Sequence, residues 1–226
     1  MIKAVIFDLD DTLISERQYI ASGFRHVANS LNAYIKFDAD RIFIELMNLF
    51  EQNPKNVFNR ILEQFQVNYS DDLIRNLVDE HRTHEPNIQF YDDVIPCTEF
   101  LKLNSIHTGI ITDGYAVSQR KKLSAVQAQN FFNEIIVTDE LGRDYWKPHP
   151  KAFDLIREKL GIEYSEMIYV GDNPEKDFHI GSIRPIKTVR IMRNGVYQDR
   201  SYFEGIKEKY AIKSLLDIYS LVEPIK

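Results

Sequence analysis

The sequence predicts an α/β protein, in which an open parallel sheet flanked by helices carries an all-helical insertion near its N-terminus. Three observations lead to this prediction. A short apolar run opens the chain and ends in carboxylates. About 75 residues of helical periodicity follow, and strand and helix patterns then alternate from about residue 93 onward.

The first predicted strand covers residues 3–7 and leads directly into Asp8, Asp10 and Asp11. Charged groups are costly to bury unless a cation or another partner accompanies them. In open parallel α/β sheets, ligands bind in the crevice beyond the carboxyl ends of the strands. The sequence therefore predicts a site at the end of this strand, with a positive charge in it.

Residues 14–92 are predicted to form four antiparallel helices with a core of their own. Pro54 separates a helix over 41–50 from the next one, and Ser70, followed by two acids, is typical of a helix start. The predicted core positions recur at helical spacing. They are Ile20, Phe24, Val27, Leu31, Val57, Ile61, Phe65, Leu73, Ile74, Leu77 and Val78.

Three further strands are predicted over 106–111, 134–138 and 167–170, and each brings polar residues to its carboxyl end. These polar residues are, in order, Thr112-Asp113-Gly114, Lys147-Pro148 and Gly171-Asp172-x-x-x-x-Asp177. Another strand over 187–192 and a helix near 214–222 complete the pattern. Because carboxyl ends of parallel strands meet at one edge of a sheet, the polar residues should converge there.

Two helix boundaries are predicted in this second half. Pro150 occupies the expected first position of a helix that Gly161 ends. Asn173 is a suitable N-cap for a helix whose first residue is Pro174. That boundary would place Asp172 between a strand and a helix, at the crevice.

The composition is that of an ordinary globular protein and argues against several classes of partner. The net charge of −6 and the pI near 5.6 give no basic footprint for nucleic acid. The basic run from Arg120 to Lys122 is interpreted as a solvated helix face. A single cysteine, Cys97, suits a reducing compartment. Because apolar runs all fall short of the roughly 20 residues that span a bilayer, no membrane is expected, and the expected location is the cytoplasm.

The motifs Asp8-x-Asp10-x-Thr12, Thr112-x-Gly114, Lys147-Pro148 and Gly171-Asp172-x-x-x-x-Asp177 together resemble those of the haloacid dehalogenase-like (HAD) phosphohydrolases. The long interval between Asp10 and Thr112 leaves room for an inserted cap, and the resemblance extends over essentially the whole chain. It implies a Rossmann-like core of residues 1–13 and 93–226 and a helical cap of residues 14–92.

The resemblance also implies catalytic roles and a Mg²⁺ cofactor. Asp8 would be the nucleophile that forms an aspartyl-phosphate, and Asp10 the general acid and base. Lys147 would neutralise the phosphoryl oxygens, while the Thr112 hydroxyl and the turn of Asp113 and Gly114 would bind phosphate.

The implied Mg²⁺ ligands are all oxygen donors. Asp172 and Asp8 would bind the ion directly, Asp10 through its backbone carbonyl, and Asp177 would assist through water or hold Lys147. Asp113 departs from the asparagine common at its position in the family. Its charge either is a simple turn substitute or acts on phosphate or metal binding.

The substrate is expected to be a small phosphate monoester, such as a phosphosugar, a sugar-acid phosphate or a nucleotide. Dehalogenation is disfavoured because Asp10 and the downstream acids are present. A phosphomutase or other phosphotransferase of the same family stays open. A phospho-accepting regulatory domain is the alternative from another class of protein. A phosphonatase would need a lysine in the cap, and Lys36 and Lys55 are candidates for it by location. Oligomeric state is not predicted.

Overall fold

The computed structural model describes residues 1–35, 37–193 and 200–222. The chain divides into two units, each with its own core. Met1–Ser15 and Gln89–Lys226 form the first, here called the α/β unit, and Glu16–Ile88 form the second, here called the helical unit. Lys36 lies outside the described residues.

The described part of the α/β unit contains one sheet of six parallel strands in the order β3-β2-β1-β4-β5-β6. Their bounds are β1 Ala4–Phe7, β2 His107–Thr112, β3 Glu134–Val137, β4 Met167–Gly171, β5 Lys187–Ile191 and β6 Tyr210–Ile212. Strands β1 and β4 are wholly buried, as expected for central strands covered on both faces. The predicted parallel α/β fold is confirmed, and β6 adds a short edge strand that the sequence pattern did not predict.

The register of the sheet brings the predicted motifs to one edge. Phe7, the last residue of β1, pairs with Ile110 of β2 on one side and with Val170 of β4 on the other. The residues that follow these pairs therefore leave the sheet side by side. The polar ends of β1, β2 and β4 meet in this way.

Helices flank the sheet within the α/β unit. They are α5 Val94–Leu103, α6 Ala116–Ala125, α7 Lys151–Leu160, α8 Ile180–Ile183 and α9 Tyr219–Val222. Short 3-10 turns cover Ala128–Asn130, Thr138–Leu141, Arg143–Tyr145, Tyr164–Glu166, Phe203–Gly205 and Leu215–Ile218. Pro150 precedes α7 as its N-cap rather than its first residue, and Gly161 ends that helix in the left-handed conformation.

The helical unit contains α1 Glu16–Asn32, α2 Ala39–Gln52, α3 Val57–Gln64 and α4 Asp71–Thr83. Six of the periodic apolar positions are buried in its core, and the other five are partly buried and pack against that core. The buried ones are Phe24, Val27, Leu31, Val57, Ile61 and Leu77, and the partly buried ones are Ile20, Phe65, Leu73, Ile74 and Val78. Helix α2 begins two residues before the predicted start because the Asp38 side chain accepts a hydrogen bond from the backbone N–H of Asp40. The hydroxyl of Ser70 caps α4 by accepting from the N–H of Leu73 at 3.3 Å.

Over the ranges 1–35, 37–193 and 200–222, the helices lack the combination of length and apolar character that a bilayer-spanning segment requires.

Candidate active site

The chain turns abruptly after β1, and this turn places Asp8 and Asp10 at the carboxyl end of the sheet. The backbone N–H of Asp8 still donates to Val170 of β4 at 2.8 Å. The carbonyl of Leu9 then accepts from Leu13 at 2.9 Å, and Asp11 takes a positive φ of 50°, which aspartate tolerates better than most residues. The two carboxylates are thus presented from a tight turn next to β4.

Three buried carboxylates gather beyond the ends of β1 and β4. One carboxylate oxygen each from Asp8, Asp172 and Asp177 lies within 4.8 Å of the others. Gly171 makes this possible, since a Cβ at that position would collide with the Asp177 carboxylate. Like charges at this distance repel each other strongly when they are shielded from water, so the cluster requires a compensating cation.

Lys147 supplies one positive charge to this cluster. Its Nζ donates to Asp8 Oδ1 at 2.6 Å, to Asp177 Oδ1 at 2.8 Å and to the hydroxyl of Tyr169 at 2.8 Å. Burial lowers the pKa of this lysine, but Asp177 and Asp8 together raise its pKa well above the ordinary value. Lys147 is therefore a fixed ammonium group between two carboxylates.

One ammonium does not neutralise three acids, and the pKa values show the surplus. Burial raises the pKa of Asp8 to about 6, with Lys147 opposing the shift and Asp177 adding to it. Burial raises the pKa of Asp172 to about 9, reinforced by Asp177, Asp8 and Asp11. Among the residues that the structure describes, the Asp172 carboxylate has no hydrogen-bond or ion-pair partner.

This donor set fits a hard divalent cation. The oxygens of Asp8, Asp172 and Asp177 are close enough to share one ion, and the surplus negative charge suits a charge of +2. Asp177 is already occupied, because its Oδ1 accepts from Lys147 and Tyr169 and its Oδ2 accepts from the N–H of Asn173 at 2.9 Å. Asp8 and Asp172 are the acids with free coordinating capacity.

The loop that follows Asp172 differs from the predicted helix start. Residues 174–179 form turns and bends, and the next helix begins at Ile180. The Asn173 side chain accepts from the N–H of Glu175 at 2.9 Å, which makes a local turn in place of a helix cap. The turn returns Asp177 to Asn173 and so places its carboxylate against Lys147.

Asp113 lies in a separate, cation-rich cluster after β2. Its Oδ1 accepts from the hydroxyl of Thr138 at 2.7 Å and from the N–H of Lys147 at 3.1 Å, and its Oδ2 accepts from Lys176 Nζ at 2.9 Å. Burial raises the pKa of Asp113, but Lys147 and Lys176 outweigh it and lower the pKa overall. The charge of Asp113 is therefore directed to protein donors.

Asp10 does not join the three-acid cluster. Its Oδ1 and Oδ2 lie 2.7 Å and 2.9 Å from Nζ of Lys122, and Nε2 of Gln119 donates to Oδ2 at 2.9 Å. The interpretation of residues 120–122 as a solvated face is wrong for Lys122, whose side chain is only 5% exposed. The spacing of Gln119 and Lys122, three residues apart on α6, is the signal that sequence reasoning missed.

Thr112 and Gly114 lie beside the same glutamine. Nε2 of Gln119 donates to Oγ1 of Thr112 at 2.5 Å and to the carbonyl of Asp113 at 2.9 Å. Gly114 has a φ of +126°, and a Cβ there would press on the Gln119 side chain at 3.1 Å. The turn after β2 therefore depends on a residue without a side chain.

The residues just before Lys147 stack on the residue after Gly114. The guanidinium of Arg143 lies 4.7 Å from the centre of the Tyr115 ring and 5.9 Å from that of Trp146. These are cation–π distances. The segment thus ties the turn after β2 to the loop that carries Lys147.

Known proteins resemble this chain over most of its length. A family model described as haloacid dehalogenase-like hydrolase matches residues 5–191. The chain belongs to this family. The resemblance drawn from the four motifs is confirmed.

Relatives and a solved structure extend over nearly the whole chain. Glyceraldehyde 3-phosphate phosphatase of Methanopyrus kandleri is 32% identical over 206 residues, which cover 88% of this chain and 87% of that protein. Pyrophosphatase PpaX of Bacillus mycoides is 26% identical over 226 residues, covering 99% and 98%. The crystal structure of a HAD phosphatase from Thermococcus onnurineus is 26% identical, covers 98% of each chain and has a TM-score of 0.63.

Proposed function

We propose that this protein is a Mg²⁺-dependent phosphatase that hydrolyses a small phosphate monoester through an aspartyl-phosphate on Asp8. The observation that carries the proposal is the buried group of Asp8, Asp172 and Asp177 around the Lys147 ammonium. A phosphate ester is an anion, and a carboxylate nucleophile repels it by roughly 4 kcal/mol at 4 Å and an effective dielectric constant near 20. The site therefore needs positive charge close to both the Asp8 carboxylate and the substrate phosphate.

The first half of the reaction transfers the phosphoryl group to the protein. An oxygen of Asp8 attacks phosphorus, and the bond between phosphorus and the ester oxygen breaks. Asp10, protonated at this stage, gives its proton to the departing oxygen, which leaves as an alcohol. Lys147 holds Asp8 Oδ1, so the other Asp8 oxygen is the one free to attack.

The second half releases orthophosphate. Asp10, now a carboxylate, takes a proton from water as the water oxygen attacks phosphorus. The bond between phosphorus and Asp8 then breaks, which restores the Asp8 carboxylate and the Asp10 acid. One ester and one water become one alcohol and one phosphate.

Positive charge and hydrogen-bond donors would stabilise the phosphoryl oxygens during both steps. Lys147 contributes its ammonium, Thr112 its hydroxyl, and the turn at Gly114 its backbone N–H groups. Mg²⁺ would be held by Asp8, Asp172 and the backbone carbonyl of Asp10. Asp177 would assist through water or by holding Lys147. When bound, the ion supplies the positive charge that offsets the carboxylates and the substrate phosphate.

The substrate class follows from the relatives together with the site. Relatives named glyceraldehyde 3-phosphate phosphatase favour a short phosphosugar, and those named pyrophosphatase make inorganic pyrophosphate a second candidate. The helical unit, inserted between the first two motifs, is proposed as the cap that selects among such substrates. A phosphotransferase differs only in using a substrate hydroxyl in place of water.

A substrate screen tests the proposal directly. Purified protein is incubated with glyceraldehyde 3-phosphate, other sugar phosphates, nucleotides and pyrophosphate, with Mg²⁺ or with chelator, and free orthophosphate is measured. We expect release from at least one compound, lost on chelation and restored by Mg²⁺. Asp8→Asn should reduce turnover by on the order of 10⁴-fold or more while the protein stays folded.

Asp154→Asn is a matched control for the nucleophile variant. Asp154 pairs with Arg184 on the surface and should tolerate the same change with near-normal turnover. Full activity in Asp8→Asn, or unchanged activity after chelation, would refute the mechanism.

A further inference from the structure

Two side chains of α6 hold the Asp10 carboxylate from one helix face. Lys122 Nζ lies within 2.9 Å of both carboxylate oxygens, and Gln119 Nε2 donates to Oδ2 at 2.9 Å. Residues three apart on a helix are neighbours, so both donors approach from the same side. Both oxygens of Asp10 therefore have fixed partners.

The inward direction of Lys122 is unusual for a lysine. Long charged side chains ordinarily keep their charge in water, as Arg120 does in its exposed ion pair with Glu140. Lys122 instead buries its side chain and turns its ammonium to Asp10. An apolar pair of similar volume often stabilises a fold as well as a buried ion pair does, so stability alone does not explain the arrangement.

Gln119 joins Asp10 to the phosphate-binding turn. Its Nε2 also donates to Thr112 Oγ1 at 2.5 Å, and the side chain is almost completely buried. The reverse orientation of the amide would set its carbonyl oxygen against the Asp10 carboxylate, which is repulsive. With Gln119 as donor, the Thr112 hydroxyl accepts this bond, and its own proton makes only a long contact of 3.5 Å with the Asp113 carbonyl.

We propose that Lys122 and Gln119 are positioning residues that orient the Asp10 carboxyl group, which gives a proton to the leaving oxygen when protonated and takes one from water once it is a carboxylate. This inference rests on the proposed function. Asp10 lies on the loop after β1 with its side chain 21% exposed, and without these donors its carboxylate is free to rotate. A displacement of about 1 Å in a catalytic group can cost about 100-fold in rate.

The test uses two esters that differ in their need for a proton. An alkyl phosphate such as glycerol phosphate needs general-acid help to release its alkoxide, whereas p-nitrophenyl phosphate releases an oxyanion that is stable without it. Lys122→Met, Lys122→Arg and Gln119→Met are compared with wild type in the full-length protein with Mg²⁺. Lys159→Met, at the exposed pair with Glu134, is the control for loss of a lysine.

We expect Lys122→Met and Gln119→Met to lower kcat for the alkyl ester by roughly 10- to 100-fold, with KM changed by less than about threefold. The loss on p-nitrophenyl phosphate should be at least about fivefold smaller, because the misplaced group matters less there. Lys122→Arg, which keeps a donor and a charge, should recover most of the rate. Lys159→Met should behave as wild type.

The inference is overturned if the two esters lose rate equally, if only KM changes, or if Lys122→Arg is no better than Lys122→Met. Gln119→Met provides an independent measurement should Lys122→Met unfold, which circular dichroism and thermal melting will show. A failure of the proposed function looks different. It would appear in the wild-type protein, as no release of orthophosphate, or in Asp8→Asn, as retained turnover.

Discussion

Asp172 and Asp113 are both buried carboxylates at the carboxyl end of the same sheet, yet their pKa values shift in opposite directions. Burial and neighbouring acids raise the pKa of Asp172 to about 9. Burial also acts on Asp113, but the ammonium groups of Lys147 and Lys176 lower its pKa. Depth in the protein is similar, and the difference comes from the charges nearby.

The same crevice therefore contains two kinds of acid, one without a neutralising partner within the described part of the chain and one paired with lysines. At Asp172, negative charge accumulates beyond what the described side chains neutralise, which is the condition for binding a cation from solution. At Asp113, the protein supplies the cation itself, because the carboxylate is paired with Lys176 of the neighbouring loop. An aspartate at this position is therefore compatible with a phosphate-binding role for the turn around it.

Removal of Lys147 should have the largest effect, because this residue joins the two clusters. Lys147→Met leaves Asp8 and Asp177 without their ammonium and should lower the free energy of unfolding of the metal-free protein by about 3–5 kcal/mol. Urea unfolding monitored by circular dichroism measures the change. Lys159→Met, which breaks an exposed pair, should cost about 1 kcal/mol or less. Equal losses in the two variants would contradict a special role for the buried ammonium.

The dependence of stability on pH should reveal the acid surplus. A carboxyl whose folded pKa is raised contributes stability below its unfolded pKa, and this stability is lost as pH rises through the folded pKa. With folded pKa values of about 6 for Asp8 and about 9 for Asp172, the metal-free protein should lose stability progressively as the pH rises from the ordinary aspartate pKa of 3.8 to about 9. Melting temperature should fall by several degrees over that range, at roughly 2–4 °C per kcal/mol for a chain of this size.

Two variants and Mg²⁺ sharpen this second prediction. Asp172→Asn removes a raised carboxyl and should flatten the slope, while saturating Mg²⁺ should flatten it in the wild type by binding the ionised acids. Asp113→Asn should leave the slope above about pH 5 unchanged, since the pKa of Asp113 is lowered. Stability that is level with pH in the metal-free wild type would show that the acids carry no surplus charge.

The sequence predicted the sheet and the positions of its polar ends because both depend on local pattern. Apolar runs such as residues 4–7 specify buried strands by themselves, and parallel connectivity brings their carboxyl ends to one edge. The helical unit was predictable for the same reason, since each helix repeats apolar side chains at helical spacing. Strand β6 lacks enough residues to display any period.

The partners of the polar ends could not be predicted in the same way. Lys122 and Lys176 lie in runs of charged residues that suggest solvated surface, and only tertiary packing turns their ammonium groups toward Asp10 and Asp113. Tyr169 lies within a buried strand, and the sequence pattern of that strand does not indicate that the tyrosine hydroxyl contacts Lys147. The local sequence pattern therefore predicts where a carboxylate lies. The residues that neutralise it are distant in the chain, and the pattern does not predict them.

The Asp113–Lys176 pair should give the smallest effect and the sharpest comparison. Lys176→Met removes one partner of the Asp113 carboxylate, and Asp113→Asn removes the carboxylate partner of Lys176, whose side chain is 27% exposed. Each change should cost about 1 kcal/mol in the free energy of unfolding, and the double variant should cost less than their sum. A double-mutant cycle by urea unfolding measures this coupling.

Phosphate binding gives the same cycle a functional readout. Lys176→Met exposes the crevice to an uncompensated Asp113 and should raise the inhibition constant of orthophosphate by roughly tenfold, whereas the double variant should return to within about threefold of wild type. Restoration requires that the harm come from the charge of Asp113 and not from the loss of Lys176 as a direct phosphate ligand. If the double variant binds orthophosphate as weakly as Lys176→Met, Lys176 binds the phosphate itself and Asp113 merely positions it.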